Sequence, residues 1–436
     1  MNIKFERSIE VKYDVDVFIS GGGPAGVSAA VTAARLGLSV FLAEKNQCFG
    51  GMGTAAMVPA FMCFSDGVNF LSGGIGREIF DKLYGEGSDY TLPQYSVNTE
   101  RLKIIYDEMM CESGALFSFE CNVIDVLSED GEAKYAVVKG KENLFAVRAG
   151  YFIDASGDGF LAVKAGAPFY KGDDEGHMMP GTLCSYWGDI DWDRAVVDMG
   201  KDPDARHLEK AFEDGVFSVK DAKLPGMWRM ERHYGGGNIG HAFGVDGTDE
   251  NSLTKAIIDA RARMREYEIY YNKYLEGYEN AKLLKTADIL GIRETRRIVC
   301  EYMARDEDYF TFAEFDDEIG RYAYPIDVHS SRAKGDKSLS ELYLKGYPKG
   351  RSYGISYRSL LPKNTKNVLV AGRCIGAERL ISSALRVMPC CYITAMAAAA
   401  AAAQAKRQGC ELRKINVYEM QSTLRKSGAY LPEHNR

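Results

Sequence analysis

The chain has 436 residues, 46% of them hydrophobic and 26% charged, an ordinary globular composition at a length that accommodates two or three domains. Its formal net charge of -7 argues against a partner with a phosphate backbone, so no nucleic-acid role is expected. The ten cysteines have no paired metal-ligand spacing, the N-terminus is charged where a secretory leader is apolar, and no run of 18 apolar residues appears; reduced thiols, no metal, no transmembrane segment and a cytoplasmic location follow as expectations.

In chain order, residues 15–20 form a buried strand, three glycines follow, an apolar-periodic helix covers residues 27–36 and a second strand covers 39–43. This βαβ start predicts an α/β fold with a central parallel sheet. A helix over 98–113 leads into short strands with a turn at Glu129-Asp130-Gly131 and a last strand at 151–154, a small meander. From residue 168 to about 350 the pattern is mixed, with one long helix over 252–274 and interruptions at Pro180, Pro225 and Pro325. This reads as an inserted α+β substrate or cap domain. A strand over 367–371 and a long helix over 382–408, containing the alanine run 397–403, resume the first domain, because alanine favours helix and lets elements pack closely. The expected division is 1–167, 168–350 and 351–436.

Gly21-Gly22-Gly23-Pro24-Ala25-Gly26 satisfies G-x-G-x-x-G between a strand and a helix, the context in which backbone approaches a pyrophosphate at a helix N-terminus. Glu44 ends the second strand, 18 residues past Gly26, where a carboxylate accepts from ribose hydroxyls. Gly235 to Gly240 satisfies the same pattern but follows no apolar strand and precedes no helix; it reads as a strand and turn of the inserted domain.

Residues 15–54, with Glu44-Lys45 followed by Gly50-Gly51-Met52-Gly53-Thr54, resemble flavoproteins of the glutathione-reductase-like and fumarate-reductase-like kind. Ile153-Asp154-Ala155-Ser156-Gly157-Asp158-Gly159 resembles their adenine-side turn, and Asn367 to Arg373 resembles the strand and turn before the flavin ring; many relatives carry an aspartate where Arg373 stands. The chain is most similar to the bacterial FAD-dependent oxidoreductases, through Gly291-Ile-Arg293-Glu294-Thr-Arg296-Arg297, Tyr357-Arg358-Ser-Leu-Leu-Pro362, Ala371-Gly372-Arg373-Cys374 and Ala384-Leu-Arg386-Val387-Met388-Pro389. The resemblance implies a Rossmann-type FAD-binding domain with an inserted cap. It also implies FAD held by Gly21, Gly23, Pro24, Ala25, Gly26, Glu44, Lys45, Gly51, Met52, Gly53, Thr54, Ala155, Ser156, Gly157, Asp158, Gly372, Arg373, Val387 and Met388. No C-x-x-x-x-C pair follows the second glycine cluster, which excludes thiol–disulfide chemistry by that route, and Met52 offers no covalent link, so non-covalent FAD is expected.

The cofactor carries the redox chemistry, and the protein must supply a proton carrier and charge stabilisation. Of six histidines, His207 and His434 read as surface, and His177, His233, His241 and His329 fall in the inserted domain. His241 and His329 lead as the catalytic pair. Arg386, at the start of the long helix, is either a cation for the reduced flavin or an ion-pair partner of Glu378. Arg293 to Arg297 read as a structural charge cluster or an anion clamp, and Arg351 and Arg358 as candidates for an acidic substrate group. The leading functional reading is a dehydrogenase or oxidase moving hydride from a small polar metabolite (sugar, polyol or carboxylate) to flavin N5. The alternatives are a reductase of an activated alkene, or a non-catalytic flavin electron-transfer subunit. All three involve an unidentified electron donor or acceptor, and a homodimer is the default assembly.

Overall fold

A glycine-turned strand–helix–strand unit organises the molecule, as seen in a computed structural model describing residues 3–4, 6–196, 204, 206–221, 224, 226–331 and 346–432. Pro225 and His434 lie outside the described residues. Strand Glu10–Ser20 pairs in parallel with Val40–Ala43 on one side and with Leu144–Asp154 on the other. Leu116–Ser118 adds to the first of these and Val368–Val370 to the second, both in parallel. Register explains why motifs far apart in sequence meet: Ser20 faces Ala43 and Asp154, and Asp154 faces Val370, so four strands end in one row. Gly21, Glu44, Ala155 and Ala371 each step off that edge. In open α/β sheets the crevice beyond the carboxyl ends of the strands is where ligands bind.

Val17, Phe18 and Ile19 are fully buried, as expected for a strand covered on both faces. Leu144–Asp154 is long because it serves two neighbours on one side: its first half pairs antiparallel with Glu132–Lys139, its last three residues with Val368–Val370. The hairpin joining Asn122–Glu129 to Glu132–Lys139 turns at Asp130 and Gly131, both with positive φ, the type I′ geometry that matches strand twist.

Helix Pro24–Arg35 lies against helix Met388–Gln408, and the Ser28 hydroxyl donates to the Tyr392 carbonyl at 3.0 Å. Ala397 to Ala403 are all buried, so the alanine run lets this helix pass through the centre of the fold. By length and hydropathy it is apolar enough to cross a membrane, but it is enclosed by protein along the whole span. The helix expected over 382–408 is two helices, Arg379–Leu385 and Met388–Gln408, with Val387 extended between them. Pro389, which lacks an N–H, is accommodated in the first turn of the second helix and would break a continuous one.

The inserted unit is a four-stranded antiparallel sheet, ordered Met227–Arg229, Tyr234–Gly237, Ser185–Gly188, Lys282–Thr286, backed by helix Glu250–Tyr274. Asp249 caps that helix by accepting from the Ser252 N–H. The second glycine motif lies in this sheet, with Gly235, Gly236 and Gly237 paired to Trp187, Tyr186 and Ser185. Core membership bounds the insertion more narrowly than 168–350. Its own apolar core runs from Leu183 to Leu290, whereas Ile298, Tyr309, Tyr322, Ile326 and Val328 pack into the core of the first domain. The reason is pairing: Arg296–Ile298 joins Phe169–Lys171, and Glu318–Tyr322 joins Tyr353–Ser356.

Candidate active site

The row of strand ends opens into a cavity of about 750 Å³ between the sheet and the inserted unit. That volume falls in the usual range for small-molecule and cofactor sites. Gly21, Gly23, Pro24, Ala25, Glu44, Lys45, Gly51, Met52, Ala155, Ser156, Gly157, Asp158, Gly372, Arg373, Val387 and Met388 all line it. Gly26, Gly53 and Thr54 do not. A Cβ at Gly26 would fall 1.8 Å from the Gly21 carbonyl oxygen, so this glycine closes the turn onto the helix. Gly53 packs against Met388 and Leu102, and the Thr54 hydroxyl donates to the Phe49 carbonyl, so both brace the second glycine cluster from behind.

The residues present fit FAD. A Cβ at Gly23 would meet no protein atom within 4 Å, and Gly23 sits at the N-cap of helix Pro24–Arg35 without a side-chain cap. The space beyond it and the free N–H groups of the helix N-terminus make an anion cradle of pyrophosphate type. Glu44 is buried; one carboxylate oxygen accepts from the Gly22 N–H at 2.5 Å and the other from the Asn46 N–H at 2.7 Å, which fixes it at the cavity wall. Arg373 ties three segments together, donating to Asp158 at 2.7 Å, to the Gly157 carbonyl at 2.8 Å and to the Ile292 carbonyl. Arg373 therefore locks the turn at Gly157 and Asp158 to the edge of the inserted unit.

At the cavity wall formed by His329 and Asp327, four side chains form a continuous hydrogen-bonded chain. The His241 Nδ1 lies 3.1 Å from Asp221, the His241 Nε2 lies 2.9 Å from the His329 Nδ1, and the His329 Nε2 lies 3.3 Å from Asp327. Asp327 also accepts from Arg386 at 3.1 Å. Of the two histidines, His329 lines the cavity and His241 stands behind it, buried. Sequence explains the placement: Ile326 and Val328 point into the core, so on this extended segment Asp327 and His329 point together to the opposite side.

The three contacts engage all four ring nitrogens of the pair, two of which face each other across the His241–His329 hydrogen bond. Burial and then the Arg293 guanidinium push His329 down to about 3, so His329 is a neutral ring. Burial alone would raise the Asp327 carboxyl, but His329, Arg386 and Arg293 outweigh it and hold the group well below the usual carboxylate range. Burial followed by Arg386 pulls Arg293 down to about 10. Arg293 is anchored on the Pro180 carbonyl at 2.8 Å, Thr182 at 2.9 Å and Asn238 at 3.2 Å.

A pH dependence of stability follows. His329 is neutral in the fold down to about 3, but in the unfolded chain it takes up a proton near 6.5, so the unfolded state binds more protons between those values. Stability is therefore lost as pH falls through this window, by up to about 1.4 kcal/mol per pH unit. Thermal melts between pH 6.5 and pH 4 are expected to fall less steeply for His329→Gln than for the natural chain; parallel slopes would refute the assignment.

Other candidates are placed elsewhere. His177 is exposed beside Asp173 and Glu175, and His233 is exposed. Arg358 pairs with Asp317 at 3.0 Å and Arg351 lies over the Phe312 ring, so neither lines the cavity. Glu294 and Arg297 form a buried pair, with Arg379 3.4 Å from Glu294, whereas Arg293 and Arg296 line the cavity; the cluster divides between structure and site. Arg386 pairs with Asp327 rather than Glu378, whose carboxylate accepts from the Asp306 N–H. Cys391 also lines the cavity, whereas Cys390 is sealed in the core.

The chain is similar to several known proteins. A protein of Methanothermobacter thermautotrophicus named digeranylgeranylglycerophospholipid reductase 2 is 27% identical over 245 residues, or 53% of this chain and 57% of that relative; the match thus spans little more than half of either. Solved structures with a distant likeness include a geranylgeranyl bacteriochlorophyll reductase-like protein from Thermoplasma acidophilum (13% identity, covering 95% of this chain and 83% of that one, TM-score 0.42). Another is the flavin-dependent brominase Bmp2 (13% identity, 95% and 83%, TM-score 0.46). The sequence profile described as FAD dependent oxidoreductase matches residues 16–424. With that match running through the glycine turn, the inserted unit and the long alanine helix, the chain belongs to the FAD dependent oxidoreductase family: it is an enzyme, and its cofactor is FAD.

Proposed function

We propose that this oxidoreductase, holding FAD non-covalently, reduces an activated carbon–carbon double bond. The observation that carries the reading is the hydrogen-bonded chain Asp221–His241–His329–Asp327, which reaches the cavity wall at His329 and leads back through His241 to a buried carboxylate, the arrangement of a proton relay. Reduction of an alkene needs one hydride, which FAD supplies when reduced and bound, and one proton. His329, on the cavity wall, releases its Nε2 proton to the substrate and is reloaded at Nδ1 from His241. The relative named as a lipid reductase supports the same direction of transfer. Reducing equivalents come from a separate donor, since the second glycine motif is sheet backbone in the inserted unit.

The test uses holoenzyme under anaerobic conditions. Photoreduced protein mixed with a panel of enoates, enones and isolated alkenes is expected to regain its oxidised flavin spectrum with at least one activated alkene, and the saturated product is expected to carry one new hydrogen on each former alkene carbon. Bleaching of oxidised holoenzyme by a polyol, sugar or hydroxy acid, with no alkene accepted, would establish the dehydrogenase reading instead.

A further inference from the structure

Arg386 has more donors than the protein uses. It lines the cavity with its side chain 14% exposed, and among the described residues only Nη2 of its three nitrogens is hydrogen-bonded, to the Asp327 carbonyl and carboxylate, each at 3.1 Å. Its Nε is buried without an acceptor among the described residues. Leaving a buried guanidinium N–H unpaired costs on the order of 1–3 kcal/mol, so such a group is normally met by a ligand or a water.

Three further features act in the same direction. Arg293 stands near enough to Arg386 to be depressed by it, and the carboxylate answering both is Asp327; Asp221 is taken by His241. Arg386 also leads directly into helix Met388–Gln408, whose N-cap, Val387, makes no side-chain cap, and Val387 and Met388 both line the cavity. The open end of a long helix adds partial positive charge to that of the two guanidiniums. Finally, Arg293 is fixed by three acceptors and is not free to turn toward a ligand, which leaves Arg386 as the adaptable donor.

We propose that Arg386 and the helix end behind it seat a carboxylate of the substrate, which makes the substrate an organic anion rather than a neutral polyol, sugar or lipid chain. This rests on the reading of the cavity as the place where substrate meets FAD, but it holds for either direction of hydride transfer. The same cation could instead serve the negative charge of reduced FAD, and the experiment separates the two.

Oxidised holoenzyme is titrated with the unreactive saturated carboxylates propionate and succinate and with propionamide, following the visible flavin band, and the FAD midpoint potential is measured without ligand. The expected result is a saturable change with the carboxylates and none with the amide. Arg386→Met should weaken it about tenfold or more and Arg386→Lys, which keeps the charge but loses the fork, in part; the ligand-free potential should stay unchanged in both. If Arg386→Met does not fold because Asp327 is left alone, Arg386→Lys carries the comparison. No carboxylate-specific change in the natural protein, or equal binding in both variants, overturns the proposal. So does a ligand-free potential that drops in the variants while carboxylate binding is kept, which assigns the cation to reduced FAD. Carboxylate binding that persists in an enzyme accepting no alkene counts against the proposed reduction and leaves the anion seat standing.

Discussion

Gly23→Val is expected to yield a well-folded protein that is purified colourless. Gly23 has φ of -67° and ψ of -173°, an extended conformation open to a β-branched residue, and its Cβ direction is clear of protein for 4 Å. The fold therefore has no reason to object. The two methyl groups would instead occupy the cradle where the pyrophosphate meets the N-terminus of helix Pro24–Arg35, separating charge from the free N–H groups. Loss of FAD affinity by about a hundredfold or more, near 2.7 kcal/mol, is the expected result, read by equilibrium dialysis or flavin fluorescence. The control is Gly26→Ala, whose Cβ would collide with the Gly21 carbonyl oxygen at 1.8 Å. That change should lower the melting temperature of the apoprotein itself, which Gly23→Val should not. Normal FAD retention in Gly23→Val would mean that the cofactor does not run across this turn.

The two glycines illustrate what was legible before the structure. The turn, its strand and its helix are local, so spacing alone identified them, and the resemblance added the later turns at Ala155 and Ala371. What sequence did not contain was register: Ser20, Ala43, Asp154 and Val370 align through successive pairings of strands far apart in the chain. The hydrogen-bonded chain at the cavity is partly legible in sequence: His241 and His329 stand out, but Asp327, two residues before His329, does not, although the alternation Ile326, Asp327, Val328, His329 is the mark of a segment with one polar side. Asp221 has no such mark, because a lone aspartate in a stretch of mixed composition resembles any surface carboxylate. Arginines were the least readable. Arg351, Arg358, Arg293 and Arg386 look alike in sequence, and only their acceptors separate Asp317-bound Arg358 from Arg386 with its unused Nε. The break at Val387 was readable from Pro389, but the alanine run that follows has such strong helix propensity that it masked the signal.

Replacing Asp327 by asparagine is expected to cost about 10²- to 10⁴-fold in turnover, because the geometry allows no neutral substitute. One carboxylate oxygen of Asp327 faces the His329 Nε2 and the other accepts from Arg386. Both neighbours are donors, and an amide has a single oxygen. If the oxygen turns to Arg386, the amide N–H₂ faces His329, whose Nε2 must give up its proton to accept from it. The His329 Nδ1 then carries the hydrogen, and His241 can no longer donate to it, so the relay is broken. If the oxygen turns to His329, Arg386 keeps only the backbone carbonyl of residue 327, and two guanidiniums lose the carboxylate that answers both. Either way the proton supply or the charge balance fails, while volume is conserved. Asp327 acts through its neighbours as a positioning residue, so the diagnostic is more than a lower rate. In Asp327→Asn the pH profile of turnover should shift or flatten relative to the natural enzyme, and FAD content should be unchanged, because the side-chain partners of Asp327 are His329 and Arg386 and not the glycine turn. A variant with full FAD, a normal rate and the natural pH profile would show that the Asp221–His241–His329–Asp327 chain is a structural network and that the proton comes from elsewhere.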